Sequence, residues 1–299
     1  MCYRHPDRPT GLSCSRCGRP ACPDCLRPAS VGQHCLECLR DSGVQRGFQQ
    51  TPAFGDRGVR RMATTRLSAG KPYVTYTLIG INILIFLLCA VQAGSFGDPG
   101  AATIFSSGDL LKSDVAAGEY WRLLTSGFLH FSVMHVAVNM LSLYILGRDL
   151  ELALGMSRYL AVYLIALLGG SAAVMLFEND RALTAGASGA IYGLMGAMLV
   201  VILKARVSPV PVLLIIGFNV VLSFSLPGIS VLGHLGGLAF GAAATAAIVY
   251  LPGMVLPERR RTPEAASRVG WIALAALAVV ALGLGVAGGI TYDGLTYIR

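Results

Sequence analysis

The 299 residues carry 24 Lys and Arg against 16 Asp and Glu, with 54% hydrophobic and only 13% charged residues. Soluble domains average roughly 25% charged residues, so one soluble globular domain is excluded as a description of the whole chain. The net charge of +8 reads as loop charge obeying the positive-inside rule rather than as a nucleic-acid footprint. No nucleic-acid partner is expected.

Residues 1–40 form a first zone, rich in Cys, Pro and Arg. Seven of the eight cysteines fall within the first 38 residues. The opening MCYRHPDRP has no apolar run behind it, so no cleavable secretory leader is expected. Cys2 with His5, Cys14 with Cys17, Cys22 with Cys25 and Cys35 with Cys38 are four pairs, each separated by two residues. That spacing lets both side chains of a pair reach one metal, and eight ligands fill two tetrahedral sites. A disulfide framework is the competing reading. It fits poorly with an odd number of thiols and with a head on the reducing side of the membrane. A head this short builds little core, so metal would supply much of its folding free energy.

The pattern resembles the B-box type of zinc finger. The resemblance implies two structural Zn2+ ions with interleaved ligands: Cys2, His5, Cys22 and Cys25 on one, Cys14, Cys17, Cys35 and Cys38 on the other. The spacing alone also allows sequential pairing, or His34 in place of Cys35. A closed zinc module of this kind is most often a binding device, here for a cytoplasmic protein partner.

Residues 41–72 are rich in Gly and Arg, without period, and read as a flexible basic linker. Apolar runs of membrane-spanning length then follow, each needing roughly 20 residues. Seven are found, at about 73–93, 133–152, 157–177, 187–204, 208–226, 231–252 and 269–290. The stretch 94–132 between the first two contains EYWRLLTSGFLHFS and reads as a loop at or partly in the membrane face. The stretch 253–268 reads as a cytoplasmic loop.

If seven spans alternate, Arg57, Arg60, Arg61, Arg66, Lys71, Arg148, Arg158, Lys204, Arg206, Arg259, Arg260, Arg261 and Arg268 all fall on one side. Only Lys112, Arg122, Arg181 and Arg299 fall on the other. The positive-inside rule then makes the N-terminus cytoplasmic and the C-terminus external. A bacterial plasma membrane is the expected location.

Four polar groups stand out within the spans: His135 and Asn139 on the second, Ser188 opening the fourth, and His234 opening the sixth. His135 and Asn139 are four apart and share a helix face. All four groups enter from the same side and lie at similar depth. Each has an ordinary explanation alone: a serine between glycines caps or packs a helix, and a histidine or asparagine bonds a carbonyl. Together they offer a nucleophile, a base and donors for a developing oxyanion. No Asp or Glu lies near His234 in the outer halves of the fourth and sixth spans, so the site would be a dyad rather than a triad.

Trp121-Arg122, HFSVMHVAVN at 130–139, GASGAIYG at 186–193 and GHLGGLAFG at 233–241 occur in one order on successive elements. They resemble the signature of rhomboid intramembrane serine proteases, over about residues 73–252. The resemblance implies an all-α polytopic membrane protein with a six-helix core, to which 269–290 adds a seventh, C-terminal helix behind the small zinc-binding head. It implies Ser188 as nucleophile, His234 as base and then acid, and an oxyanion hole of His135, Asn139 and the Ser188 N–H. Tyr192 would stack on the histidine, Gly186 and Gly189 keep the approach open, and Trp121 and Arg122 are structural. His130 would support or hydrate the site. Substrates would be transmembrane proteins within the bilayer, cut without a catalytic metal or organic cofactor. The alternative is an inactive relative that binds or sorts membrane clients. A proton-coupled transporter would need inverted repeats and broken helices, which the sequence does not display.

Gly189, Gly193 and Gly196 on the fourth span and Gly233, Gly237 and Gly241 on the sixth are spaced for close helix approach. On this reading, a leucine at Gly237 should impair cleavage without touching a catalytic group.

Overall fold

The computed structural model describes residues 1–28, 33–41, 70–226 and 228–292. Most of the basic linker, and with it Arg57, Arg60, Arg61 and Arg66, lies outside the described residues, as does Arg299. The chain divides into two compact units, Met1–Thr65 and Arg66–Arg299.

The first unit is built around its cysteines. Strands β1 (Leu26–Pro28) and β2 (Gln33–Cys35) pair antiparallel, with Leu26 opposite Cys35, and helix α1 (Leu36–Asp41) follows. An isolated bridge joins Ser13 to Pro20, folding the Cys14–Cys17 turn back on itself. The buried cluster here consists of Cys2, Cys14, Cys22, Cys25 and Cys35 with only Ala21 and Leu26 beside them. Two apolar residues make a weak core, and the thiols take its place.

The second unit is helical. Its long helices are α2 (Tyr73–Ala93), α6 (Val133–Leu154), α7 (Met156–Phe177), α8 (Ser188–Lys204), α9 (Val210–Ser225), α10 (Val231–Val249) and α12 (Pro263–Ile290). Short helices α3 (Thr103–Ser106), α4 (Lys112–Ala116) and α5 (Arg122–Thr125) occupy the loop after α2, and α11 (Leu251–Val255) follows α10. Each of the seven apolar runs in the sequence coincides with a long helix. By length and composition α2, α7, α10 and α12 can cross a membrane, and α6 qualifies only together with residues 122–128, bent from it by 94°. Charged residues near its end, among them Arg148, Asp149 and Glu151, dilute the apolar character of α6. Helices α8 and α9 have 17 and 16 residues, which is about 25 Å of rise for the longer.

Helix α12 begins at Pro263, ahead of the apolar run expected from 269. Thr262 caps it by accepting from the Ala265 N–H, and Pro263 sits where its missing N–H costs nothing. Two polar turns therefore belong to the helix rather than to the preceding loop. Helix α6 starts at Val133 because Ser132 accepts from the His135 N–H at 3.2 Å.

At the other end of α6, Glu151 is 2% exposed. Its carboxylate accepts from the Val74 and Thr75 N–H groups at 2.9 and 2.8 Å and from the Thr75 hydroxyl at 2.8 Å. A carboxylate here satisfies orphan N–H donors and faces the positive end of the α2 dipole.

Three helices meet through glycine. A Cβ on Gly237 of α10 would collide with the Gly189 carbonyl of α8, and one on Gly241 with the Gly193 carbonyl. A Cβ on Gly196 would strike the Leu238 carbonyl. Helix α7 joins the same junction, since a Cβ on Gly170 would lie 2.8 Å from the Gly233 carbonyl. Lipid provides no hydrophobic drive between helices, so this close backbone packing is itself the cohesive contact.

The loop between α2 and α6 is fixed by buried charge. Arg122, 5% exposed, bonds the Asp109 carboxylate at 2.5 Å and its carbonyl at 2.9 Å, Glu119 at 2.6 Å and Asp114 at 3.1 Å. Lys112 bonds the Glu178 carbonyl at 2.5 Å and Asp180 at 3.1 Å. Trp121 donates to the Ser107 carbonyl at 3.1 Å. Removing one member of a buried ion pair strands the rest, at about 3–5 kcal/mol. Arg122→Ala is therefore expected to lower the thermal midpoint of the purified protein in detergent by several degrees. Gly237→Ala should do the same at about 1–3 kcal/mol of overpacking. Gly217→Ala, where a Cβ meets open space, should melt like wild type.

Candidate active site and metal sites

A cavity of about 910 Å3 opens among the helices, and His135, Asn139, Ser188, Tyr192, Ser223 and His234 are among its lining residues. Ser188 is the first residue of α8, so by position its N–H has no acceptor within the helix. Its Oγ lies 2.8 Å from His234 Nε2 on α10. The glycine junction described above allows this, because Gly189 and Gly237, one turn or less from the two groups, are in backbone contact. The His234 ring stacks on Tyr192, with centroids 4.0 Å apart and planes 14° from parallel.

His135 and Asn139 come from α6. The Asn139 amide donates one hydrogen to the His135 carbonyl at 2.9 Å, and a primary amide has a second to offer. The His135 ring lies against Gly186: a Cβ there would sit 2.9 Å from His135 Cε1 and Nε2. Gly186 also has φ +138°, which side chains other than hydrogen rarely tolerate. Gly189 faces the Gly233 carbonyl at 3.4 Å from a Cβ position and also lines the cavity. His130 is 1% exposed, edge-on to His135 at 5.0 Å, and both its ring nitrogens lack a partner among the described residues. Trp121 and Arg122 belong to the loop network rather than to the cavity lining.

Two groups absent from the sequence reading join these. Ser223 on α9, 4% exposed, lies 2.8 Å from His234 Nδ1 and 2.6 Å from the Tyr192 hydroxyl. It also donates to the Asn219 carbonyl at 2.8 Å, and Asn219 lines the cavity. The available signal was a polar pair four residues apart in an apolar run, the same spacing that singled out His135 and Asn139.

In the first unit, Cys2, His5, Cys22 and Cys25 form one group and Cys14, Cys17, Cys35 and Cys38 another, all ligand atoms of a group within 4.8 Å of one another. The grouping is the interleaved one. All eight cysteines are free thiols, and His34 belongs to neither group. His5 Nδ1 is 3.4 Å from Cys22 Sγ, 3.4 Å from Cys25 Sγ and 3.8 Å from Cys2 Sγ. Cys17 and Cys35 are 3.7 Å apart. Bonds of about 2.3 Å to sulfur give a tetrahedron with edges of about 3.8 Å, so the donors fit a metal ion. Burial pushes the Cys2 thiol up, but N–H donors from Cys22, Arg4 and His5 outweigh it and bring it down to about 6. Cys14 is likewise about 6, where burial is outweighed by N–H groups of Cys35, Cys17 and Arg16. Each group thus holds one thiol ready to bind as thiolate, the form metals take.

The fold and these sites define a polytopic helical membrane protein with a serine–histidine contact between two helices and a small cysteine-rich head. Residues 117–251 match the Rhomboid domain, and the chain belongs to the rhomboid family. It is 38% identical over 184 residues to "Rhomboid protease GluP" of Bacillus subtilis, covering 60% of this chain and 35% of that protein. It is 34% identical over 233 residues to "RHOMBOID-like protein 4" of Arabidopsis thaliana, covering 67% and 58%. "Putative rhomboid protease YdcA" of Bacillus subtilis is 33% identical over 132 residues, covering 42% and 66%. The chain thus spans between about a third and three fifths of the length of the first two.

The metal fit carries a direct expectation. Metal analysis of the purified full-length chain should find two transition-metal ions per molecule, and Cys22→Ser should leave about one. Equal loading of both proteins would count against a site containing Cys22.

Proposed function

We propose that the protein is an active serine endopeptidase that hydrolyses transmembrane protein substrates within the membrane. One observation carries the reading: Ser188 Oγ is within 2.8 Å of His234 Nε2 beside a cavity that also holds His135 and Asn139. Two of the similar proteins bear the word protease in their names, which agrees with it.

In this mechanism Ser188 Oγ attacks the scissile carbonyl while its proton passes to His234 Nε2. The oxyanion accepts hydrogen bonds from the Ser188 N–H, the second Asn139 amide hydrogen and the His135 ring. Donors of this kind are each worth about 10²–10³ in rate. His234 then gives its proton to the leaving amine, and the acyl group remains on Ser188. A water, deprotonated by His234, releases the acid and restores Ser188. Tyr192 keeps the imidazole flat, and His130 supports His135 from the edge. Each proton taken is returned, so no cofactor enters the cycle.

The head is assigned two structural Zn2+ ions on the groups containing Cys2 and Cys14, the metal that suits closed sets of thiolate and imidazole donors. Residues 1–40 are the zinc module, 41–72 the linker, 73–252 the protease core, and the helix ending at 290 an addition to it. Cation placement supports a cytoplasmic N-terminus in a bacterial plasma membrane.

The test is labelling of the purified protein by a fluorophosphonate, with Ser188→Ala beside it, together with cleavage of a single-span substrate in liposomes. Wild type should label and cleave. Ser188→Ala should do neither, with cleavage down at least about 100-fold. Equal labelling of both proteins, or a folded wild type that neither labels nor cleaves, would sink the assignment and favour a client-binding relative.

A further inference from the structure

His234 is held from both ring nitrogens, and the second contact decides what the first can do. Ser223 Oγ has three neighbours: the Asn219 carbonyl at 2.8 Å, the Tyr192 hydroxyl at 2.6 Å and His234 Nδ1 at 2.8 Å. A serine hydroxyl has one hydrogen and two acceptor positions. The Asn219 carbonyl can only accept, so the Ser223 hydrogen goes there. The other two contacts are then hydrogen bonds only if Tyr192 and His234 both donate. The arrangement that satisfies all three contacts at once places the His234 hydrogen on Nδ1. A neutral imidazole protonated at Nδ1 has a bare Nε2, and Nε2 is the atom facing Ser188.

The opposite tautomer needs Ser223 to turn its hydrogen to Nδ1. That leaves the Asn219 contact without a hydrogen and points an Nε2–H at Ser188, where no proton can be accepted. We infer that Ser223 is a positioning residue that fixes His234 in the tautomer able to take the Ser188 proton, filling the orienting place that a carboxylate has in a triad. The inference rests on the protease reading above. During the reaction the proton moves from Ser188 Oγ to His234 Nε2 and on to the leaving amine. The Nδ1 hydrogen stays where it is, and nothing is transferred to Ser223.

The neighbouring hydroxyl on the same helix makes the contrast. Ser225 also bonds the carbonyl four residues back, that of Val221, which is the ordinary habit of a serine in a helix. It remains exposed. Among the 16 residues of α9 only Ile216 and Ser223 are buried, and Ser223 adds two contacts to that habit. An uncharged acceptor orients the ring without opposing the charge that forms on it, so its weight is that of one hydrogen bond. A triad aspartate weighs far more, about 10⁴ in kcat.

The experiment reads the tautomer directly. Full-length protein labelled with 15N-histidine is examined in detergent by 15N–1H correlation, with His234→Gln assigning the signal. Wild type and Ser188→Ala should both show Nδ1–H with a bare Nε2. Ser223→Ala should lose that state for a mixture, and its kcat should fall about ten-fold with KM within about two-fold of wild type. Ser223→Thr keeps a hydroxyl at the same place and should recover both the signal and most of kcat, while unchanged His130 and His135 signals report intact folding. A Ser223→Ala protein that keeps the pure Nδ1–H tautomer of wild type, with no Nε2–H population, overturns the inference whatever happens to kcat, as does a rise in KM alone. The spectrum of Ser188→Ala needs no activity. Failure of the protease reading, seen as equal fluorophosphonate labelling of wild type and Ser188→Ala, is thus separable from failure of this one.

Discussion

The contact of bare backbone between α8 and α10 is the constraint on which the membrane unit depends. A methyl group at Gly237 or Gly241 would occupy the space of the Gly189 or Gly193 carbonyl. With hydrogen alone at those positions the helices close until carbonyl oxygens meet Cα–H groups, a weak but repeated attraction. Helix α7 enters the same seam: a Cβ on its Gly170 would crowd the Gly233 carbonyl, and one on Gly236 of α10 would crowd the Gly169 carbonyl. The distance between two catalytic-type side chains is thereby set by residues that have no side chain. Ser188 and His234 sit at the ends of this seam, where the helices start, and their 2.8 Å contact inherits its tolerance from the seam.

Charge is arranged around that frame so that little of it stays unpaired inside. Lys112 and Arg122 are both buried among acceptors. Their charge is balanced by Asp109, Asp114 and Glu119 within the same loop and by Asp180 from the loop between α7 and α8. The paired cations act as mortar for the loop rather than as free surface charge. Glu151 plays the corresponding part at the other end, closing the start of α2 from the end of α6.

Much of this was legible in the sequence because the signals were local or repeated. Apolar runs announced the long helices, and four motifs in order announced the family. Glycines four apart announced the seam. What was not legible required knowing how two distant segments face each other. Two-residue spacing shows that Cys2 goes with His5, but not that this pair joins Cys22 and Cys25. That depends on the Ser13–Pro20 bridge and the pairing of β1 with β2. Ser223 is the sharper case. It lies 11 residues before His234, on a different helix and beyond a turn, and the four-residue spacing of Asn219 and Ser223 marks a face of α9 without showing that it meets His234. The start of α12 at Pro263 was hidden for a different reason: hydropathy reports the bilayer-length part of a helix and is silent about polar turns that precede it.

That His234 bonds a hydroxyl and not a carboxylate at Nδ1 among the described residues then has a physical sense. An ionised carboxylate taken into a helical bundle within the membrane costs several kcal/mol unless it is paired. In a triad that cost is balanced by the imidazolium it faces, but only while the imidazolium exists. A hydroxyl that donates to its own helix and accepts from the ring carries no such standing cost, and its geometry is fixed whether or not the ring is charged. On this reading the site exchanges transition-state charge stabilisation for orientation. The burden of stabilising charge then falls on the oxyanion side, where His135, Asn139 and the Ser188 N–H converge from two helices. That division fits a histidine that meets Tyr192 on its ring face and Ser223 at Nδ1.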